Sequence, residues 1–493
     1  MASVELASLE TYKHPKEIYR LGITAMWDMF SYYGMKALLI AYIVTQLRLG
    51  EQMGYAILGT YAAFIFGLNF FGGLVSDKLL GNRKSIIWGG YLQITGHLLL
   101  AIPSNNLFFL GLAFVATGTG FRMAPSGSLV DSFYRKDQFR KKEDGYAMLY
   151  MIFNFGAALG GLICGYLGQN INWHLGFGAA CIFMIIGQAQ FILKINKAHG
   201  LPPDLEKLNK VIFLNLFNRE HLIYFFSLIV VLIVTLIIQF PSYMNFIMMP
   251  LTFIAFVYII YISFKYSKQE REKIFAVLTL CLIGSLFWAF YEQIGGSIIL
   301  FSIRNVDFNI AGLQLSGLAI NGFTPSAWLL VLIPISIRIW KWLDHKKANP
   351  RSYIKLMMSF VFMAICFFVL WLGTFLNKDT GIMPFSYLII AYLFIEMAEI
   401  CIGPMLYSLI ANLSPKNIIS TLWGIMNLCI ALGAYLSGKI GALMIIPEGI
   451  SNPIEMMPYF SSIFLKIGIG SLLISLLIIG LFPLLKKWMY EVH

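Results

Sequence analysis

Long apolar stretches separated by short polar or charged segments dominate the chain. About 20 consecutive apolar residues are needed for a helix to cross a hydrocarbon core about 30 Å thick. Fourteen stretches approach this length and predict transmembrane helices, at roughly 21–46, 54–75, 85–103, 107–127, 146–168, 173–194, 223–240, 244–264, 274–301, 326–343, 353–375, 385–412, 418–446 and 459–485. The pattern therefore predicts an all-α polytopic membrane protein.

The composition and the placement of charge agree with this prediction. Hydrophobic residues make up 59% of the chain and charged residues 12%, whereas soluble proteins have about 25% charged residues. Most Lys and Arg fall into alternate loops, and only Arg48, Arg304 and Lys378 lie in the remaining loops. Because cytoplasmic loops are enriched in Lys and Arg, the excess of positive charge needs no nucleic-acid partner. We expect both termini in the cytoplasm and an even number of spans.

The sequence contains few signals for other functions. All six cysteines lie within predicted spans, so neither a disulfide framework nor a zinc site is indicated. There is no GxxxxGK[ST] phosphate-binding loop and no grouping of nucleophile, base and orienting residue that is typical of an enzyme. We therefore expect no cofactor, no metal ion and no enzymatic activity.

The longest polar stretch, about 195–222, divides the chain after the sixth predicted span. The next two apolar runs are nearly free of charge and are joined by a few residues around Pro241, which predicts a lipid-facing helical hairpin. Paired six-helix bundles are the general plan of one large class of transporters. The expected organisation is a six-helix bundle at 1–195, a cytoplasmic linker at 196–222, an inserted transmembrane hairpin at 223–265 and a second six-helix bundle at 266–493.

The loop after the second predicted span carries a recognisable signature. Gly73, Asp77, Gly81 and Arg83 follow the spacing of GxLaDrxGrk, and the loop resembles the signature of the major facilitator superfamily. This resemblance implies a gate, in which Asp77 caps a helix end and pairs with a basic residue of a neighbouring helix. An ordinary charged cytoplasmic turn is the alternative interpretation.

Several further stretches resemble the proton-coupled oligopeptide transporter family within that superfamily. The similar stretches, with the family patterns that they resemble, are AMWDMFSYYG at 25–34 (ExxERFxYYG), GTGF at 118–121 (GTGFFKPN), YMIFN at 150–154 (YMGIN), WHLGF at 173–177 (WHLGF), FWAFYEQ at 287–293 (FWxxxEQ) and EICIGP at 399–404 (ELCLSP). The resemblance implies the major facilitator fold, with an inserted hairpin typical of bacterial members. It further implies a monomer in a bacterial inner membrane that imports di- and tripeptides by proton-coupled alternating access.

The chain departs from the family pattern at positions that bear on mechanism. Of the two acidic residues and one arginine expected in the first span, only Asp28 remains, because Ala25 and Met29 occupy the other two positions. Met123 stands where the family has a lysine, and Arg122 lies next to it. Three functions therefore stay open: proton-driven import of small peptides, transport of another small solute without protons, and a transport-dead membrane sensor or scaffold.

Two buried acids are candidates for proton coupling. An ionised side chain at the centre of a membrane helix costs about 2.5–3.5 kcal/mol and therefore faces a cavity or a partner. Glu292 lies well inside its span, and burial favours the neutral form of a carboxylic acid, so we expect it to carry the proton and either to pair with Arg122 or to stay protonated. Asp28 is the second candidate, with Lys36 or a nearby tyrosine such as Tyr32 as its partner.

The predicted substrate site combines a carboxylate, an arginine and several polar side chains. Glu399 matches the family residue that receives the amino terminus of the peptide, and a carboxylate is a natural partner for an ammonium group. Glu396, three residues earlier on nearly the same helix face, either shares this role or locks the helix to a neighbour. Arg122 either binds the peptide carboxylate in a bidentate fork or forms a salt bridge between helices. The other predicted substrate-binding residues are Tyr32, Tyr150, Asn154, Trp288 and Glu292.

Overall fold

The computed structural model describes residues 14–134, 139–213, 217–310, 312–415, 418–447 and 449–490. Within these residues the apolar stretches form helices, as predicted from the sequence. The main helices are α1 (Lys16–Ala41), α2 (Glu51–Val75), α3 (Gly81–Ala101), α4 (Asn105–Asp131), α5 (Phe139–Asn170), α6 (Trp173–Lys194), α7 (Arg219–Gln239), α8 (Asn245–Ser263), α9 (Lys268–Tyr291), α10 (Ser297–Asn305), α11 (Gly317–His345), α12 (Ser352–Leu376), α13 (Phe385–Leu413), α14 (Ile419–Gly441) and α15 (Pro453–Met489).

Short elements connect or interrupt these helices. Single π-helical turns occur at Tyr42–Gln46 and Ser76–Leu80, 3₁₀ turns at Pro241–Met244, Glu292–Gly295 and Ala442–Met444, and a five-residue helix at Leu205–Asn209. The strands of the described chain form two-stranded sheets: β1 (Val211–Phe213) antiparallel to β2 (Phe217–Asn218), β3 (Val306–Asp307) parallel to β6 (Met383–Pro384), and β4 (Asn309–Ile310) antiparallel to β5 (Leu313–Gln314). In the parallel pair Val306 lies opposite Met383.

Length and hydropathy identify twelve potential membrane-crossing stretches among the described residues. One of them, Glu51–Ala101, contains both α2 and α3, and another, Lys268–Asn305, contains α9 and α10. Helix α1 is long enough but is not among the twelve, because charged residues such as Asp28 and Lys36 lower its hydropathy. The protein is thus polytopic, while the number of fourteen spans stays a prediction.

Residue contacts divide the chain into two units. Unit 1 comprises Met1–Met35 and Leu68–Leu236, and unit 2 comprises Lys36–Gly67 and Ile237–His493. The boundaries fall inside α1, α2 and α7, so these helices contribute residues to both units. The domain boundaries expected at 195, 222 and 265 stay predictions.

In unit 1 helices α3 and α4 form an extensive contact, and glycines line it. A Cβ atom at Gly89 would lie 2.6 Å from the carbonyl oxygen of Gly118, and one at Gly96 would lie 2.7 Å from that of Gly111. Lipid gives little hydrophobic drive for helix association, so close van der Waals packing at small residues holds such helices together. This contact positions α4 along α3.

The hairpin helices α7 and α8 expose most of their apolar surface. Only 22% of the most apolar window of each helix is buried, which agrees with the predicted lipid-facing hairpin. Within unit 1, Glu220 of α7 forms a salt bridge with Lys84 of α3. The indole of Trp88 donates a hydrogen bond of 2.9 Å to Ser227 and stacks on Tyr224 at 4.2 Å between ring centroids. Polar contacts therefore attach α7 to unit 1.

Unit 2 has an extensive apolar core. Helix α12 packs against α13 and α15, and α9 packs against α14. The large side chains of Phe287, Phe360, Phe367 and Phe464 are completely buried in this cluster. This core includes Ile395 and Ala398 of α13 and extends to Trp288 and Tyr291 at the end of α9.

The start of α3 gives the first testable prediction. Gly81 has a φ of +73°, and a Cβ atom there would lie 2.5 Å from backbone atoms of Leu201 and Pro202. We expect Gly81→Ala to lower the apparent melting temperature of the purified protein, because a side chain in this backbone region costs about 1–3 kcal/mol. Gly127→Ala is the matched control, since a Cβ atom there would meet nothing within 4 Å. Equal melting temperatures of the two variants would show that the protein does not require glycine at position 81.

Candidate functional site

Unit 1 contains a buried ion pair between two helices. The Nε atom of Arg122 in α4 donates a hydrogen bond of 2.6 Å to Oδ2 of Asp28 in α1, and the two side chains are 2% and 10% exposed. Burying two charges costs free energy that further hydrogen bonds must offset. The Nη1 atom of Arg122 supplies them by donating to the side-chain oxygen of Gln188 and, at 3.2 Å, to the carbonyl oxygen of Ile86.

A glycine provides the space for this network. A Cβ atom at Gly90 of α3 would collide with the amide of Gln188 and with the guanidinium group of Arg122. Gln188 lies in α6 and is itself fixed by a hydrogen bond of 2.9 Å from its Nε2 to the carbonyl oxygen of Ile87. Four helices, α1, α3, α4 and α6, therefore meet at one polar centre. Gln188 was not predicted from the sequence, although the two glutamines of this mostly apolar helix, Gln188 and Gln190, were a signal for it.

The structure shows the partners of these two charges. Arg122 forms the salt bridge between helices, which was one of its two expected interactions. The partner of Asp28 is Arg122, so the expectation that Asp28 pairs with Lys36 is wrong. The reason is that Arg122 approaches from α4, which sequence spacing along α1 could not reveal. A role of Arg122 in binding substrate stays a prediction.

The remaining predicted substrate residues of unit 1 lie on α1 and α5. Tyr32 is half-buried, and its ring meets that of Tyr33 edge to face at 5.1 Å. Tyr150 is 37% exposed, whereas Asn154 is only 8% exposed. The amide of Asn154 donates a hydrogen bond of 2.9 Å to the carbonyl oxygen of Tyr150, one turn earlier in α5. The substrate-binding roles of Tyr32, Tyr150 and Asn154 stay predictions.

The two predicted gate residues have different surroundings. Arg83 is 8% exposed, and its guanidinium group donates to the carbonyl oxygens of Ile195 at 3.0 Å and Ile192 at 3.2 Å. These carbonyl groups belong to the C-terminal end of α6, where a cation is favourable. Asp77 is exposed in the π-helical turn Ser76–Leu80. Arg83 thus attaches α3 to α6, and the gate stays a prediction.

Unit 2 contains a second buried ion pair. Helix α9 ends in the 3₁₀ turn Glu292–Gly295, and Oε2 of Glu292 accepts a hydrogen bond of 2.8 Å from Nζ of Lys36. The side chains of Lys36 and Glu292 are 13% and 7% exposed. Gly295 leaves room for the lysine, because a Cβ atom there would lie 2.8 Å from Cε of Lys36. From the sequence Glu292 was expected either to pair with Arg122 or to stay protonated, and the structure gives it a different partner, Lys36.

A buried amide fixes the turn that carries Glu292. The side chain of Gln293 is 1% exposed and donates a hydrogen bond of 3.0 Å to the carbonyl oxygen of Ser437 in α14. Its oxygen accepts a hydrogen bond of 2.7 Å from Ser297, at the start of α10. The break between α9 and α10 is therefore a defined feature that sets the position of Glu292.

A tyrosine hydroxyl links α9 to the two glutamates of α13. The Oη atom of Tyr291 donates to Oε2 of Glu399 at 2.5 Å and lies 3.4 Å from both carboxyl oxygens of Glu396. Glu396 is completely buried, whereas Glu399 is half-buried. The ring of Trp288 meets that of Tyr291 edge to face at 5.2 Å. The predicted residues Trp288 and Glu399 are thus joined through Tyr291, which was not among the residues predicted from the sequence.

Paired charges inside apolar helices are typical of membrane transport proteins. Such residues are rare in membrane segments and mark the pathways of substrates, ions or protons, so the fold and these centres are those of a membrane transport protein. The model of the POT family matches residues 83–452, which is more than half of the chain. The chain therefore belongs to the POT family, the family of proton-coupled oligopeptide transporters that its motifs resemble.

Individual proteins support the same assignment over nearly the full length. The chain is 26% identical over 488 residues to the dipeptide and tripeptide permease A of Erwinia pyrifoliae, covering 98% of this chain and 96% of the relative. It is 27% identical over 488 residues to the dipeptide and tripeptide permease A of Proteus mirabilis, covering 97% of each chain. A crystal structure of a peptide transporter POT in complex with alafosfalin matches with a TM-score of 0.83 at 23% identity, covering 97% of this chain and 96% of that chain. The predicted fold class is thereby confirmed.

The ion pair of unit 1 yields a prediction about stability. Arg122→Met leaves the buried carboxylate of Asp28 without its partner, and breaking such a pair costs about 3–5 kcal/mol. We expect a clearly lower apparent melting temperature in detergent for this variant. Adding Asp28→Asn removes the uncompensated charge, so the double variant should recover part of the loss. A double variant as unstable as Arg122→Met alone would contradict the stabilising role of the pair.

Proposed function

We propose that this protein is a proton-coupled symporter that imports di- and tripeptides across a bacterial inner membrane. Its membership of the POT family and the names of its permease relatives support the substrate class. The observation that carries the proton-coupling part of the proposal is the buried ion pair between Lys36 and Glu292. The substrate is a small peptide or a peptide-like solute, and the other partners are protons and the lipid bilayer.

Protonation of Glu292 is the coupling step in this proposal. A proton on the carboxylate removes its charge and with it most of the attraction to the ammonium group of Lys36, 2.8 Å away. A buried lysine left without its partner is costly, so the protonated and ionised forms of Glu292 favour different arrangements of the turn at Glu292–Gly295 and of α1. This difference is what allows proton binding to drive a conformational change.

The membrane potential supplies part of the driving force. A potential of 100 mV corresponds to about 2.3 kcal/mol for each elementary charge that crosses the membrane. One proton that enters with each neutral dipeptide can therefore accumulate the dipeptide up to about 50-fold, even without a pH difference. Asp28 is the second proton-coupling candidate, because its ionised form holds Arg122 in place.

The proposed substrate-binding groups are those predicted from the sequence, together with Tyr291. In unit 2 the carboxylate of Glu399, oriented by the hydroxyl group of Tyr291, receives the ammonium group of the peptide, and Trp288 offers an apolar surface beside it. In unit 1 the polar groups for the peptide backbone come from Tyr32, Tyr150 and Asn154. Arg122 binds the peptide carboxylate when that carboxylate takes the place of Asp28.

The proposed arrangement in the membrane follows the distribution of Lys and Arg. Both termini are in the cytoplasm, although residues 1–13 and 491–493 lie outside the described residues. Asp77 and Arg83 act as a gate at the cytoplasmic side, and each chain transports as a monomer. Since these are transport roles, the protein is not expected to act as an enzyme.

Glu292→Gln tests the coupling step directly. In liposomes with an imposed proton gradient, we expect this variant to lose uphill accumulation of a labelled dipeptide. Exchange of labelled for unlabelled dipeptide should persist, because the neutral amide mimics the protonated acid. Unchanged proton-driven accumulation would contradict the assignment of Glu292.

Glu51→Gln is the matched control for this experiment. Glu51 also forms a salt bridge in unit 2, with Arg304 at 2.5 Å, and its side chain is 12% exposed. This variant loses one ion pair but should keep uphill accumulation.

The unmodified protein tests the two alternative functions. Downhill uptake of the dipeptide without proton entry would indicate transport without protons. Failure to bind the dipeptide would favour a transport-dead sensor or scaffold.

A further inference from the structure

Glu396 has no part in the proposed transport steps, yet it is a carboxyl group placed at the centre of α13. It is completely buried, and an ionised carboxylate in such a position needs a strong partner. The described ionisable groups that interact with it come from its own helix and from α1, α9 and α12: Glu399, Tyr392, Lys36, Tyr291 and Cys366. Only one of these groups, Lys36, is a cation.

The cation of this group is already engaged. The ammonium group of Lys36 donates to Glu292 at 2.8 Å and forms a salt bridge with it. The hydroxyl proton of Tyr291 is directed to Glu399, because Oη lies 2.5 Å from Oε2 of Glu399 but 3.4 Å from each oxygen of Glu396. Neither group therefore provides a close partner for an ionised Glu396.

The two carboxyl groups share one site. The hydroxyl oxygen of Tyr291 lies 2.5 Å from Glu399 and 3.4 Å from both carboxyl oxygens of Glu396, and the two acids stand three positions apart on nearly the same face of α13. A hydrogen bond between two carboxyl groups requires a proton on one of them, and two carboxylates that share a site do not both ionise. The pair therefore holds one proton.

The surroundings decide which of the two acids holds it. Glu399 is half-buried and accepts the short hydrogen bond from Tyr291, and a hydrogen bond to the charged form of an acid stabilises that form. Glu396 has no exposed surface, which disfavours its charged form. Both effects favour Glu396 as the acid that holds the proton.

We propose that Glu396 is a neutral acid that donates a hydrogen bond to Glu399 and so positions it. Tyr291 and Glu396 then hold the carboxylate of Glu399 from two sides, in the orientation that receives the ammonium group of the substrate. Glu396 is a positioning residue, because it acts through Glu399. The inference rests on the proposed function for the identity of the substrate. To that function it adds a role for Glu396 in positioning Glu399.

Two substitutions separate a neutral donor from a proton carrier and from a space-filling residue. Glu396→Gln keeps a neutral hydrogen-bond donor of nearly the same shape, whereas Glu396→Leu keeps the volume but removes the donor. If Glu396 is a neutral donor, transport should be retained in Glu396→Gln and impaired in Glu396→Leu. If Glu396 is a proton carrier, transport should be impaired in both variants. If it only fills space, transport should be retained in both.

Uptake of a labelled dipeptide by the full-length protein in liposomes measures these effects. For Glu396→Gln we expect a KM close to that of the unmodified protein and an unshifted pH profile of uptake. For Glu396→Leu we expect KM to rise about tenfold, since a hydrogen bond to a charged group is lost. The exposed Glu455 gives a control, Glu455→Gln, that should change neither value. Loss of proton-driven accumulation in Glu396→Gln, or an unchanged KM in Glu396→Leu, would overturn the proposal.

Infrared spectroscopy of the purified protein tests the location of the proton without transport. A protonated carboxyl group absorbs at a different infrared frequency from a carboxylate. At neutral pH the unmodified protein should therefore show the band of a protonated carboxyl group, and Glu396→Gln should lose this band. Glu399→Gln should retain it. The reverse pattern would overturn the proposal, and because no substrate is needed, the result is separate from any failure of the proposed function. Unchanged amide absorption and melting temperature serve as the check on folding.

Discussion

Every polar centre described for this protein is governed by the cost of placing charge in apolar helices. About 2.5–3.5 kcal/mol is the penalty for an ionised side chain at the middle of a membrane helix, and the protein meets it by pairing. Arg122 is paired with Asp28 at 2.6 Å and Lys36 with Glu292 at 2.8 Å. Near Glu396 and Glu399 the cation Lys36 is already paired with Glu292. In the proposed arrangement a shared proton and the hydroxyl group of Tyr291 stabilise these two acids in place of a cation. Each partner thereby becomes a point at which a proton or a charged ligand can change the structure.

The same constraint explains the backbone around these centres. Side chains as large as arginine and lysine fit between helices only where the opposing residue is small, and Gly90 and Gly295 provide that space. The turn at Glu292–Gly295 interrupts the helical hydrogen bonds between α9 and α10, and the buried amide of Gln293 compensates in part by donating a hydrogen bond of 3.1 Å to the carbonyl oxygen of Ala289. Unsatisfied backbone groups are costly within a membrane, so this break requires such a partner.

Much of the fold could be predicted from the sequence, because long apolar runs have one stable outcome in a bilayer. Each predicted span coincides with helical structure, and the ninth, 274–301, covers α9 and α10. The break between α9 and α10 was not predicted, because it depends on the contact of Gln293 with α14 rather than on local sequence alone. The partners of the charges were harder still. Lys36 and Glu292 are 256 positions apart, and helical spacing says nothing about which distant helix a side chain meets. Glu292 and Glu399 could be named from family motifs, whereas Gln188, Tyr291 and the partner of Asp28 required the packing itself.

If Glu292 exchanges a buried cation for a proton, then peptide entry and proton entry are one process. Recording the internal pH of liposomes that contain the protein tests this coupling, at equal starting pH on both sides and with an inside-negative potential. Addition of external dipeptide should acidify the interior in proportion to the dipeptide taken up. Dipeptide uptake with no accompanying acidification would show that the two movements are separate and that Glu292 does not couple them.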